Sequence, residues 1–227
     1  MAQFLVGIDI GTHTTRVVVA EPGPTPEHAP TILGTGMSET SGVRHGYVTN
    51  LHEATKSIRL AIRDAEEHAK VRIKKAYVSI GGISLSSDTI SSSTIISKAD
   101  GEITDRDVEL VLADAEQSML KNSKNRRIIY STAVSYKIDG KDVLGHPLGM
   151  AGVKLEASVL FITCLVHHFE DLMHAVIDAG VDVIDVIPSV IAQSNAVLSQ
   201  RQKIVGCLLV DIGAETVSMA VFENDLP

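Results

Sequence analysis

Large rings are scarce in this chain: Phe and Tyr make up 4% of its 227 residues and there is no tryptophan. A core without rings is filled by Val, Ile, Leu and Ala, which suits packed layers of sheet and helix. Cysteine is almost missing. Cys164 and Cys207 each lie inside an apolar run, LFITCLV and VGCLLVD, so both read as small core residues, and the sparse usage suits a reducing cytoplasm. No apolar run reaches the ~18 residues of a membrane span. No signal-peptide pattern is present either, because Met1–Leu5 leads straight into a strand-like run. Positive charge is in deficit at a net −8, which argues against a nucleic-acid surface or a polybasic membrane patch. The basic clusters at Arg72–Lys75 and Lys121–Arg127 are short and interrupted, and read as solvated edges.

Several catalytic signatures are also missing. There is no G-x-x-x-x-G-K-[ST], which excludes a P-loop ATPase, and no G-x-G-x-x-G as a strand-to-helix turn, which leaves a dinucleotide fold without support. Ser79-Ile80-Gly81-Gly82 lacks the G-x-S-x-G frame of a nucleophile elbow. His167, His168 and His174 do not form a metal reading, since adjacent helical residues face different ways and no Cys/His quartet exists.

What the sequence does have is one motif written twice. LVGIDIGTHTTRVVVAE near the start and LLVDIGAETVSMAVFE near the end match at Asp9/Asp211, Ile10/Ile212, Gly11/Gly213, Thr14/Thr216, Val19/Val221 and Glu21/Glu223. Each copy is an apolar run, Asp-Ile-Gly, a polar turn and a second β-rich run, which is the pattern of a hairpin. Glycine lets backbone N–H groups converge on an anion without a Cβ in the way. An aspartate at the strand end can hold a hydrated Mg²⁺. Two such hairpins facing each other would grip a nucleotide's phosphates from both sides. The constant offset of 202 residues is far beyond the roughly 20–50-residue period of a solenoid, and points to two related half-molecules.

Between the two copies, strands and helices alternate. The first hairpin spans 4–21, Pro22, Pro24, Pro26 and Pro30 make a rigid hairpin tip, and 31–39 is a strand. Asn50 followed by Glu53 starts a helix with Leu51, Ala54, Ile58, Ala61, Ile62 and Ala65 on one face. A strand at 76–82 ends in a glycine pair. The Ser/Thr-rich stretch 84–102 suits a linker or an exposed strand, and its β-branched residues favour the strand. Thr104 caps a helix carrying Val108, Val111, Leu112, Ala115 and Met119. Strands follow at 128–140 and 155–166, so 84–157 reads as a small α/β insert. A helix over 168–179 stops at Gly180, 181–187 is a buried strand, and Pro188 opens a further helix carrying Val190, Ile191, Val197 and Leu198.

The paired Asp-Ile-Gly hairpins resemble the phosphate 1 and phosphate 2 motifs of the actin-like ATPase superfamily. SGVRHGYVTNLHEATKSIRLAIRDAE (41–66) and HPLGMAGVKLEASVLFITC (146–164) narrow the resemblance to the FtsA family of bacterial cell-division proteins, in its N-terminal portion. PilM, an FtsA-like pilus protein, is the nearest competitor. The resemblance implies an α/β, ribonuclease H-like first lobe over 1–83 and 158–204. It implies a 1C-type subdomain over 84–157 and the first hairpin of an incomplete second lobe over 205–227. It further implies ATP and Mg²⁺ as cofactors. The binding residues would be Asp9, Gly11, Thr12, His13 and Arg16 in the first motif and Asp211, Gly213, Ala214, Glu215 and Thr216 in the second. Asp9 and Asp211 would hold the metal through water. The residue that orients the attacking water falls near Asn195 by spacing, with Gln193 as the alternative.

By the same resemblance the intact protein polymerises through the insert and links filaments of FtsZ to the membrane through a C-terminal amphipathic helix not contained here. It answers FtsN-type partners and works in the cytoplasm at the division site. Departures from the family pattern bear on activity. Ala214 and Glu215 stand where glycines are usual, Ser218 where Asp is usual, and His146 where Asn is usual. A slow ATPase at most is expected, and weak ATP binding by these 227 residues alone. The alternative is an interaction module with vestigial nucleotide binding. A sugar kinase or DnaK-type chaperone shares the superfamily but not the 41–66 and 146–164 stretches.

Overall fold

A computed structural model describes residues 4–25 and 28–227. Met1, from which the opening strand was read, and Pro26 of the proline-rich tip lie outside the described residues. The chain forms two compact units, Met1–Leu85 with Leu165–Pro227, and Ser86–Cys164.

In chain order, the first unit begins with β1 (Leu5–Ile10), β2 (Thr14–Glu21), β3 (Thr31–Glu39), the short pair β4 (Val43–Arg44) and β5 (Tyr47–Val48), α1 (Leu51–Ala69) and β6 (Lys75–Ile80). The second unit holds β7 (Ser86–Ile95), α2 (Asp105–Asn122), β8 (Arg126–Ile138), β9 (Lys141–Val143) and β10 (Lys154–Leu165). The chain then returns to the first unit with α3 (Val166–Asp178), β11 (Asp182–Pro188), α4 (Ser189–Val197), α5 (Gln200–Val205), β12 (Cys207–Ile212) and β13 (Val217–Phe222).

The first unit is built on a five-stranded sheet of order β11-β6-β1-β2-β3. The β1-β2-β3 run is an antiparallel meander, while β6 and β11 lie parallel to β1 and to each other. Period-two alternation decides the two faces. Val6, Ile8, Val17, Val19, Ala76, Val78 and Ile80 are buried on the side where α1 and α3 pack. Asp9, Arg16 and Ser79 alternate onto the other side. Because β1, β6 and β11 run the same way, their C-terminal ends share one edge of the sheet, and the loops after them meet there.

α1 starts where the sequence places it: the Asn50 side chain accepts the Glu53 N–H at 3.2 Å, an ordinary N-cap. Its buried stripe is Ala54, Ile58, Ala61, Ile62 and Ala65, whereas Leu51 lies at the rim. Small residues let the helix press onto β3. A Cβ on Gly36 would fall 2.1 Å from the Ala61 carbonyl oxygen, so glycine is the only residue this approach admits. The proline-containing connection joins β2 to β3, as expected of a hairpin. Gly180, at φ 99°, ends the segment after α3. Three features were not anticipated: the β4–β5 pair, β9, and α5, which is closed by a Ser199–Gln202 capping box.

In the second unit the sheet order is β7-β10-β8-β9. Its core joins Val108, Val111, Ala115 and Met119 of α2 to Leu155, Ala157, Val159 and Phe161 of β10. The serine-rich stretch is a strand. Among the described residues it is an edge that pairs only with β10, which explains its polar composition. The unit runs to Cys164, past the boundary at 157 drawn from sequence, because β10 continues through that point without a break. Cys164 is buried and Cys207 half-buried, both as free thiols, and burial pushes the Cys164 thiol up to about 11.

α2 is closed by a capping box in which Asp107 carries the load. Its carboxylate accepts from the Thr104 N–H (2.9 Å) and hydroxyl (2.6 Å) and from the Ser97 N–H (3.0 Å) and hydroxyl (2.8 Å). These donors, Thr104 first, hold the carboxyl far below its ordinary value of 3.8. A depressed carboxyl stabilises the fold fully above its unfolded value and loses that contribution as pH falls toward the folded one. Asp107→Ala is therefore expected to lower the melting temperature at neutral pH, and the difference from wild type should shrink as pH drops below about 4. A thermal-unfolding series over pH checks both.

Candidate functional site

At the shared C-terminal edge of β1, β6 and β11 lies a cavity of about 390 Å³. Both copies of the repeated motif line it. From the first hairpin come Asp9, Gly11, Thr12, His13 and Arg16; from the β12–β13 hairpin come Asp211, Gly213, Ala214 and Thr216. The two turns close in the same way. The Gly11 N–H donates to the Thr14 carbonyl at 3.2 Å, and the Gly213 N–H to the Thr216 carbonyl at 2.9 Å. Among the described residues, the backbone N–H groups of Thr12, His13, Ala214 and Glu215 take no part in backbone hydrogen bonds. Each turn therefore presents free amide donors, the elements of an anion nest.

The carboxylates are held in place. Asp9 Oδ1 accepts the Ser79 hydroxyl, and Asp211 Oδ2 accepts the Gln193 amide at 2.8 Å. Each retains an oxygen for other partners. Arg16 brings a cation to the same cavity. Among the described residues no group of three His, Cys, Asp or Glu side chains is placed to hold a metal. Two aspartates fit Mg²⁺ in its hydrated form, which binds through one or two carboxylates and shared phosphate oxygens rather than an all-protein cage.

Glu215 is the site residue that the structure places elsewhere. It does not line the cavity. Its carboxylate accepts the His45 N–H at 2.8 Å and faces the Arg44 guanidinium at 3.5 Å. The His45 N–H, and then the Arg44 charge, hold its pKa below the ordinary value. The negative charge that stands in the second turn is thus turned outward and neutralised. Asn195 is likewise misplaced by the sequence reading. Its Oδ1 accepts from the Lys203 ammonium at 2.7 Å, away from the cavity. Gln193, two positions earlier on α4, is the residue that reaches in. Positions i and i+2 lie on nearly opposite sides of a helix, which is why Gln193 reaches Asp211 while Asn195 reaches Lys203.

The sequence reading missed contributors from outside the two repeated hairpins. Gly81 and Gly82 follow β6, Ser189 begins α4, and Gly46 lies in the turn between β4 and β5; all line the cavity. Gly46 and Gly82 sit back to back at φ 84° and 101°, and a Cβ on Gly82 would meet the His45 carbonyl oxygen at 2.8 Å. The signal available in the sequence was their glycine identity at turns, Gly46 in one and the Gly81–Gly82 pair in the other. Behind them, buried His168 bonds to the Ser84 hydroxyl and stacks near Tyr47, with centroids 4.6 Å apart. Burial lowers its pKa.

The comparisons with known proteins follow this geometry. A family model described as the SHS2 domain inserted in FtsA matches residues 82–163. Among solved structures, the PilM–PilN type IV pilus biogenesis complex superposes with a TM-score of 0.70 at 13% identity, covering 100% of this chain and 60% of that one. The ethanolamine utilisation protein EutJ of Carboxydothermus hydrogenoformans gives 0.51 at 15% identity, covering 98% and 48%. The fold is the actin-like one, an α/β lobe carrying an inserted SHS2-type unit.

In sequence, the chain is 34% identical over 220 residues to the cell division protein FtsA of Pseudomonas aeruginosa, covering 97% of this chain and 51% of that protein. It is 28% identical over 222 residues to FtsA of Bacillus subtilis, covering 98% and 49%. The chain is FtsA-like over essentially its whole length and corresponds to the N-terminal portion of that family; it spans about half the length of the curated relatives it matches. No helix among the described residues is long and apolar enough to cross a membrane.

The Gly46–Gly82 contact gives a direct test of how the cavity wall is held. Gly82→Ala should cost about 1–3 kcal/mol of stability, since it combines positive-φ strain with a backbone clash. Gly140→Ala, also at positive φ but with nothing within 4 Å of the added Cβ, should cost less. Denaturant unfolding of the two variants compares them.

Proposed function

We propose that this cavity binds ATP with Mg²⁺ in the intact protein, and that the chain is the nucleotide-binding part of an FtsA-type cell-division scaffold. The observation that carries the reading is the pair of Asp-Ile-Gly turns, closed by the same hydrogen bond and facing one cavity from two sides. The free amides of Thr12, His13 and Ala214 suit phosphate oxygens, and Arg16 adds positive charge. Asp9 and Asp211 would hold Mg²⁺ through water, and the ion when bound would neutralise phosphate charge. With Glu215 turned onto Arg44 and His45, its carboxylate does not oppose the phosphates.

Hydrolysis is slow in this reading. In this reading Gln193, whose amide reaches Asp211, would orient the water rather than Asn195, and an amide orients by hydrogen bonding without accepting a proton as a base. In the whole protein we further infer self-association through the 86–164 unit and links to FtsZ and FtsN-type partners. These activities would take place on the cytoplasmic face of the membrane at the division site. What supports this is the family likeness over 97% of the chain and the match of the inserted domain.

The test uses the full-length protein. Calorimetric titration with ATP should show Mg²⁺-dependent binding that Asp9→Asn and Asp211→Asn each weaken by about tenfold or more, the order expected from losing a charged interaction. ATP affinity unchanged in both variants would overturn the reading. In the same protein, Gln193→Ala should slow turnover by up to about 10² while changing affinity little, and Asn195→Ala should leave turnover unchanged. Phosphate-release kinetics separate the two.

A further inference from the structure

A second concavity lies at the opposite end of the same strands. The nucleotide-type cavity sits at the C-terminal ends of β6 and β11; at their N-terminal ends is a cavity of about 500 Å³. One wall is the end of α1, where Arg59, Arg63 and Glu66 fall on one face at spacings of four and three. The chain then reverses through Lys70, in the left-handed region at φ 56°, and brings Arg72 and Lys74 back against that face. The other wall is the turn of residues 179–181 after α3. Buried Ile73 and Val181 lie beneath, and the Asp182 N–H donates to the Lys74 carbonyl at 2.9 Å, tying the walls together.

Four cations meet one carboxylate here. Glu66 accepts the Ile73 N–H at 2.7 Å and faces Arg72 Nε at 3.8 Å, so one positive charge is offset. Arg59 donates to the Asp178 carbonyl at 2.6 Å. That acceptor is neutral: it fixes the guanidinium without cancelling its charge. Among the described residues, neither Arg63 nor Lys74 has an ion-pair partner. In a chain of net charge −8, this is a local excess of cations drawn from two separate segments. Solvated surface charges spread apart to lower their mutual repulsion; these converge on one hollow.

We propose that this cavity is an anion site for a phosphate-bearing ligand, held by Arg59, Arg63, Arg72 and Lys74. Guanidinium forks match the paired oxygens of a phosphate, and a lysine adds a mobile point charge. A cavity of this size accommodates a phosphate together with the organic group that carries it. The same chemistry is offered by a soluble phosphate ester and by a phospholipid headgroup. This site needs no metal and is independent of the nucleotide reading.

The experiment maps backbone amide shifts of this 227-residue chain by NMR during titration with inorganic pyrophosphate, and in parallel measures its co-sedimentation with phosphatidylglycerol and with phosphatidylcholine vesicles. Amides of 72–74 and 179–181 should shift with pyrophosphate, or sedimentation should depend on phosphatidylglycerol. The first identifies a soluble ester as the source, the second a headgroup. Arg63→Glu with Lys74→Glu, both on exposed side chains, should weaken whichever response is seen by about tenfold or more, with the melting temperature unchanged. Shifts confined to Gly11, Gly213 and their neighbours, together with no anionic-lipid dependence, would overturn this proposal while leaving the nucleotide site standing. A response that survives the double substitution would overturn it as well.

Discussion

Each Asp-Ile-Gly turn is closed by a single bond from the glycine N–H to the carbonyl three residues on, and the site depends on that bond. A Cβ at Gly11 would stand 2.9 Å from the Thr14 carbonyl oxygen, and one at Gly213 would stand 3.1 Å from that of Thr216. Glycine and the bond are therefore one constraint: the carbonyl folds back where a side chain would otherwise be. Closing the turn leaves the next two amides facing outward as donors. The residue before the Ile-Gly pair is fixed by the same strand. Ile8 is buried under the helical layer, so Asp9 must point to the opposite face, where the cavity lies. Core packing and site geometry are two consequences of one alternation.

The second copy shows which part of that arrangement is local. Positions 202 residues apart have the same strand pairing: Val6 opposes Val19 and Ile8 opposes Val17, as Leu208 opposes Val221 and Val210 opposes Met219. The first four are at most 5% exposed, while the second four are 43% to 67% exposed. The turn forms in both hairpins. The burial comes from α1 and α3, which have no counterpart over β12 and β13 among the described residues. Hairpin geometry is thus set by a few neighbouring residues, and its stability by whatever covers the apolar face. The second hairpin packs near α4, which brings Asp211 within reach of Gln193, and buried Phe222 lies under the Lys203 ammonium of α5.

The sequence was most legible where the signal was local. The hairpins, the Asn50 and Thr104 caps, the apolar stripes of α1 and α2 and the strand at 31–39 all follow from patterns within a few residues. It was least legible where the partner is remote. Nothing near Glu215 announces that Arg44 and His45 will take its carboxylate, because that contact spans 170 residues. Gly46 and Gly82 are readable as turn glycines, but not as each other's neighbours. Helical phase decided between Gln193 and Asn195, and a spacing transferred from a family pattern carries an error of a residue or two, which on a helix is enough to reverse the face. The basic residues at 72–75 read as a solvated edge since the other half of their cluster, Arg59 and Arg63, lies on a helix that the sequence shows as a separate element.

The two ends of the parallel strands hold negative groups by different physics. At the C-terminal edge, two aspartates face the cavity and Arg16 is the cation lining it, so a polyphosphate there meets like charge unless a metal ion intervenes. In the proposed reading, affinity at that end is conditional on the metal, which would let the site distinguish a metal-chelated triphosphate from bare phosphate. At the N-terminal edge the cations outnumber the single carboxylate and no such condition exists. An anion drawn there would be attracted directly, with a strength that added salt weakens and chelators leave alone. If both proposals hold, one sheet carries a metal-gated anion site at one end and an ungated one at the other. The repeated turns line the cavity at the C-terminal edge, and there their free amides would constrain where each phosphate oxygen goes.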